Sequence, residues 1–122
     1  MVSYPAKAST MMHPNVPNVQ MVIDLRSPEE VRVDPFRGGR VMGLPLPKPP
    51  LSAAQHQQIF HHLLTYVPHG IRVGFVCSAG ILSKMATNMM RGAGYNVIDL
   101  GGMNHPRTRD KLRKLGYWVD QW

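Results

Sequence analysis

The sequence predicts an α/β layered domain built on a mainly parallel sheet. Three observations carry that expectation. Short apolar runs of strand character alternate with helical patterns along the chain. Two of the helical patterns open on serine caps, Ser27 and Ser52. The sole cysteine, Cys77, falls where an apolar run gives way to a helix, which is the carboxyl end of a strand. In open α/β sheets ligands bind at those ends.

The elements follow in order. Residues 1–20 form a Pro-, Asn- and Met-rich segment in which Pro5, Pro14 and Pro17 exclude a long helix. A short edge strand is expected near residues 9–12, with His13 on the surface. The domain proper is expected over residues 21–122. Met21-Val22-Ile23-Asp24-Leu25 reads as a buried strand. Ser27 then caps a helix, Pro28 takes its first position, and Glu30 stands three residues after the cap. That is a capping box with proline at its favoured place. Asp34-Pro35 ends this helix early, and Gly38-Gly39 makes a loop. Residues 41–44 can form a short strand. Pro45, Pro47, Pro49 and Pro50 make an extended connector.

Ser52 caps a helix over residues 53–66, with Ile59, Phe60, Leu63, Leu64 and Val67 at helical spacing. Pro68-His69-Gly70 ends it. Residues 71–76 form the central strand, and the Cys77 loop leads to a helix from Ser83. On that helix Met85, Ala86, Met89, Met90 and Ala93 share a face, and Gly94 stops it. Residues 96–100 are a strand, followed by a tight Gly101-Gly102 turn. Residues 107–115 form a basic helix carrying Leu112 and Leu115. Of the aromatic ending Tyr117, Trp118 and Trp122, at least Trp118 is expected to pack onto the domain.

With 122 residues, 43% of them apolar, the chain has material for one domain and one small core. No apolar run approaches a membrane span, and Met1-Val2-Ser3-Tyr4-Pro5 does not open a signal peptide. One cysteine makes no internal disulfide, which fits a reducing compartment, most simply the cytoplasm. The net charge of +7 implies a field that attracts anions: small sulfur or phosphorus oxyanions, acidic proteins or nucleic acid. Arg107, Arg109, Lys111, Arg113 and Lys114 bring no groove-reading motif or stacking platform, so nucleic acid is not the expected partner. An acidic protein is the partner that helix would suit. His56, His61 and His62 lie five and six residues apart on one helix. A helical metal pair prefers a spacing of about three or four, so no metal is expected.

Cys77 is the residue on which function turns. A thiol at a strand-to-helix turn faces backbone N–H groups that the helix cannot satisfy internally. Those groups carry the positive end of the helix dipole and favour an anion such as a thiolate. The competing reading is a buried, inert cysteine.

Four ordered segments resemble the rhodanese-like family of single-domain sulfurtransferases. Val22-Ile23-Asp24-Leu25-Arg26-Ser27-Pro28-Glu29-Glu30 is similar to the family's V-I-D-V-R-x-x-x-E. Gly39-Arg40-Val41-Met42-Gly43, with Pro47 beyond, resembles G-H-I-x-G-A before a proline, Arg40 replacing the histidine. Cys77-Ser78-Ala79-Gly80-Ile81-Leu82-Ser83 resembles the active-site loop C-x-x-G-x-x-S, and Gly92 through Met103 resembles K-A-G-Y-x-x-V followed by G-G-M. The resemblance implies a three-layer domain with a central, mainly parallel, five-stranded sheet flanked by helices. It implies sulfur transfer through a Cys77 persulfide. The donor would be thiosulfate, polysulfide or a persulfide, and the acceptor cyanide or a thiol. No cofactor is implied. Backbone N–H groups of Ser78, Ala79, Gly80, Ile81, Leu82 and Ser83 would cradle the charged sulfur, and Ser83 would cap the helix.

Thiosulfate-using members carry Arg or Lys after the cysteine and Arg at the loop's sixth position. Here these are Ser78 and Leu82. Lys84 and Arg40 are the cations expected to compensate, and Leu82→Arg is expected to improve thiosulfate use. Cysteine phosphatases need C-x5-R for a bidentate phosphate clamp. Ser83 stands where that arginine would be, which argues against a phosphatase. The remaining alternative is a catalytically idle binding or regulatory module on the same fold. Asp24 is expected near the site floor, with Arg26 bracing Glu29 or Glu30, and His69 or His105 within reach of Cys77.

Overall fold

The computed structural model describes residues 18–120. The expected edge strand at residues 9–12, His13 and Trp122 lie outside them. In chain order the elements are β1 (Met21–Asp24), α1 (Pro28–Val33), β2 (Phe36–Arg37), β3 (Val41–Gly43), α2 (Ala53–Tyr66), β4 (Val73–Cys77), α3 (Ile81–Gly92), β5 (Val97–Gly102), α4 (Pro106–Lys114) and β6 (Trp118–Val119). Among the described residues the central sheet has four strands, all parallel, in the order β3-β1-β4-β5. β1 and β4 are the inner strands, and every residue of both is buried. That is why they read as continuous apolar runs rather than alternating ones.

Strand alternation splits the interior in two. Met21, Ile23, Val73, Phe75 and Val97 point to one face, where Ile59, Leu63, Ala86 and Met90 of α2 and α3 cover them. Val22, Val76 and Leu100 point to the other, against Leu112 of α4 and the Phe36, Tyr117 and Val119 side chains. Gly74 in β4 leaves the space that Leu100 fills, since a Cβ there would lie 2.6 Å from Leu100 Cδ1.

The expected capping box forms at Ser27, and Ser52 makes a second one. Ser27 and Glu30 exchange hydrogen bonds at the start of α1, as do Ser52 and Gln55 at the start of α2. The apolar stripe of α2 is narrower than its spacing implied, because Ile59 and Leu63 are buried while Leu64 faces solvent. α3 starts at Ile81, two residues before the expected Ser83. It ends as expected at Gly94, whose N–H reaches Arg91 O while Tyr95 N–H reaches Met90 O. With Gly94 at φ +90° this is a Schellman ending. Gly116 closes α4 the same way, with Tyr117 N–H donating to Leu112 O.

One expectation is corrected at the C-terminal end. β6 pairs antiparallel with β2, Phe36 opposite Val119 and Arg37 opposite Trp118. Alternation then turns Val119 inward and leaves Trp118 56% exposed beneath the Arg37 guanidinium, so Trp118 does not pack into the domain. Nor is the whole basic helix solvated. Arg109 is buried, pairs with Asp34 at 2.7 Å and donates to Asp120 O, fixing α4 to the loop after α1. No helix among the described residues is long and apolar enough to cross a membrane.

Candidate functional site

Cys77 ends β4 at the carboxyl edge of the sheet, opposite Gly102 of β5. The register between these strands slips after Phe75, where Val76 faces Gly101 instead of Leu100. That one-residue bulge puts Gly102 beside the loop that follows Cys77. A Cβ on Gly102 would meet Ser78 O, Gly80 N and Ala79 C, so only glycine lets the loop lie this close. Met103 N–H donates to Cys77 O at 2.7 Å and Asn104 N–H to Ser78 O at 2.9 Å, which pins the loop from the same side.

The Cys77 side chain is buried, at 3% exposure. Its Sγ accepts the N–H of Gly80 at 3.1 Å and that of Ser83 at 3.3 Å, and the thiol donates to Ser83 Oγ with Sγ and Oγ 3.4 Å apart. Gly80, at φ +95°, is the residue before α3, and no side chain caps that helix. The sulfur itself takes the place of a cap. Ser83 therefore does not cap α3. It is the third residue of the helix, and its hydroxyl turns back to Gly80 O at 3.3 Å. Of the loop N–H groups expected to converge, those of Gly80 and Ser83 reach Sγ.

Cys77 forms the floor of a cavity of about 270 Å³. Ser78, Ala79, Ile81 and Leu82 contribute one wall. Leu25, Arg26 and Glu30 form a second, and Leu46, Lys48 and Pro49 of the proline-rich connector a third. The walls are mostly apolar, and Ile81 is 61% exposed at the mouth. Leu82 belongs to the core cluster under α3 as well as to the cavity. It is not the rim residue that the Leu82→Arg expectation assumed.

The charges around the cavity are neutralised in pairs. Arg26 chelates Asp24, with Nη2 2.9 Å from Oδ2 and Nε 3.0 Å from Oδ1, and also donates to Asp34 O at 2.8 Å. Its side-chain partner is thus Asp24 rather than Glu29 or Glu30. Both side chains are almost fully buried, so each charge depends on the other. Glu30 uses Oε1 for the α1 cap and Oε2 for Ser78 Oγ and Lys48 Nζ, the latter at 3.2 Å. The Ser78 hydroxyl, foremost, holds the Glu30 carboxyl well below its ordinary value of 4.5, at about 2, with the Ser27 backbone and Lys48 assisting against burial. Glu30 is therefore an anion beside the thiol at any neutral pH.

The two cations expected to compensate are elsewhere. Arg40 precedes β3, and its carbonyl accepts Val22 N–H at the amino end of the parallel sheet, away from the carboxyl edge that carries Cys77. Lys84 lies on the outer side of α3 with His56, Met85 and Asn88, outside the Cys77 cavity. Lys48 lines the cavity instead, paired with Glu30, from a connector whose prolines read as linker. His105 does approach the loop, with Nε2 3.1 Å from Ala79 O, whereas His69 stacks on Tyr95 at 3.6 Å. Among the described residues no His, Cys, Asp and Glu are grouped to hold a metal. No protein-family model matches the chain, and no curated protein matches it significantly.

Proposed function

We propose that this protein is a rhodanese-like sulfurtransferase whose nucleophile is Cys77. One observation carries the reading: a buried cysteine sulfur replaces the cap of α3 and accepts two backbone N–H groups at the floor of a cavity. Such donors cost no reorganisation when charge develops on the sulfur.

The Cys77 thiolate attacks the outer sulfur of a donor. A new Sγ–S bond forms, the donor's S–S bond breaks, and the electron pair leaves on the departing thiolate or shortened polysulfide. An acceptor thiolate or cyanide then attacks the outer sulfur of the Cys77 persulfide. The Sγ–S bond breaks and Cys77 returns as thiolate. The two displacements balance without an external oxidant or reductant. The apolar walls favour donors that need no sulfonate clamp, an organic persulfide or a polysulfide, over thiosulfate. A cytoplasmic setting and small sulfur-donor and acceptor partners belong to the same proposal.

An idle binding module is the second reading. It is favoured by one feature, that Arg26 and Lys48, the cations lining the cavity, are each engaged by a carboxylate. Intact mass after polysulfide treatment, beside Cys77→Ser, separates the two. The sulfurtransferase gains one cyanide-removable sulfur that the variant does not. Folded wild-type protein with a free thiol and no gained sulfur leaves the binding module.

A further inference from the structure

A second and larger cleft, about 640 Å³, opens on the other side of the Cys77 loop, between β5 and the start of α4. Thr108 lies on its wall. The residue is 3% exposed, yet its hydroxyl hydrogen-bonds no other described residue. Thr108 Oγ1 rests against Gly101, where any side chain would fill the space in front of it. With no donor or acceptor of the described residues in reach, the hydroxyl is left to bond whatever occupies the cleft.

The surrounding charges break two local rules in the same place. The first turn of α4 carries Arg107 and no acidic residue, against the helix dipole. Arg107 and Lys111 stand four residues apart, a repelling pair on one helix face. Both line the cleft, and neither has an ion-pair partner among the described residues. His105 precedes α4 without a side-chain cap bond, so the Arg107 N–H, in the first turn, has no intrahelical acceptor. At α3 the sulfur of Cys77 fills the corresponding place, whereas at α4 it opens on the cleft. The one carboxylate present, Asp99, is turned to Gly101 N–H at 2.8 Å.

We infer that this cleft binds a phosphate-type oxyanion, held by the Thr108 hydroxyl, the Arg107 N–H and the Arg107 and Lys111 side chains. The volume exceeds that of the bare ion and fits a small phosphate monoester. Ala79 and Gly80 separate the oxyanion from Cys77, so the site stands whether or not Cys77 transfers sulfur.

The test is a titration of 15N-labelled protein with inorganic phosphate, with chloride at matched ionic strength as the reference and glycerol 3-phosphate as a second arm. Saturable shifts are expected at the Gly101, Arg107 and Thr108 amides with phosphate and not with chloride. Tighter binding of glycerol 3-phosphate assigns an ester, and weaker binding assigns the free ion. Thr108→Val keeps the side chain's shape and is expected to weaken binding about tenfold, the loss of one hydrogen bond to a charged group. Arg107→Gln changes an exposed position and is expected to weaken it also. Shifts that chloride reproduces, or an affinity unchanged in both folded variants, overturn the inference.

Discussion

Replacing Gly102 by alanine tests whether the Cys77 loop is seated on β5 as described. The added Cβ would lie 2.5 Å from Gly80 N and 2.6 Å from Ala79 C, where real neighbours stay beyond 3.0 Å. These are backbone atoms, so no rotamer change relieves the overlap, and strand and loop must part. Overpacking of this kind costs about 1–3 kcal/mol. With a urea m-value of about 2 kcal/mol per molar, the midpoint falls by roughly 0.5–1.5 M. The amides of Met103 and Asn104, which donate to Cys77 O and Ser78 O, are expected to lose hydrogen-exchange protection. Gly92→Ala is the control. Nothing lies within 4 Å of its added Cβ, and alanine in that helix gains about 0.5 kcal/mol. Equal urea midpoints for the two variants, with Asn104 still protected, would refute the seating of the loop on Gly102.

Arg26→Ala strands Asp24 as a buried charge and is expected to cost about 3–5 kcal/mol. A urea-measured loss under about 1 kcal/mol would mean the pair is not closed to water. The Glu30 carboxyl is lowered on folding, from 4.5 to about 2, so its contribution is complete above the unfolded value and disappears as pH falls through that window. Glu30→Gln, which retains the amide oxygen for the cap, is expected to lack that component of the acid unfolding curve; an identical pH profile contradicts the assignment. The same substitution leaves Lys48 without its carboxylate partner in the cavity wall. It is expected to raise thiosulfate use by about three- to tenfold, and an unchanged rate would clear the Glu30–Lys48 pair of any part in donor binding.

Elements fixed by neighbouring residues were legible in the sequence, and placements made by distant ones were not. The Ser27–Glu30 and Ser52–Gln55 caps, the two inner strands and the Gly94 stop each depend on a handful of consecutive side chains. Cys77 at a strand end was legible for the same reason. The β2–β6 ribbon was not, because two-residue strands give no periodicity and their partners lie far apart in the chain. Arg40 resembled a site residue through its neighbours, but in a parallel sheet the start of one strand is far from the end of another. α3 began early because its cap is a sulfur four residues upstream rather than a serine hydroxyl. Lys48 and Leu46 lay in a proline run that gives no sign of folding back over a thiol. Only the second oxygen of Glu30, left over once the cap is made, offered a clue to its pocket role.

The two faces of the sheet draw their interiors from different stretches of the chain. Every member of the cluster under α2 and α3 lies between Met21 and Val97. The opposite cluster waits for Leu112, Tyr117 and Val119. The first face can therefore pack with no residue beyond Val97, whereas Val22 and Val76 stay bare until the C-terminal stretch docks. Arg109 reaching back to Asp34, and β6 pairing with β2, hold that stretch against the second face.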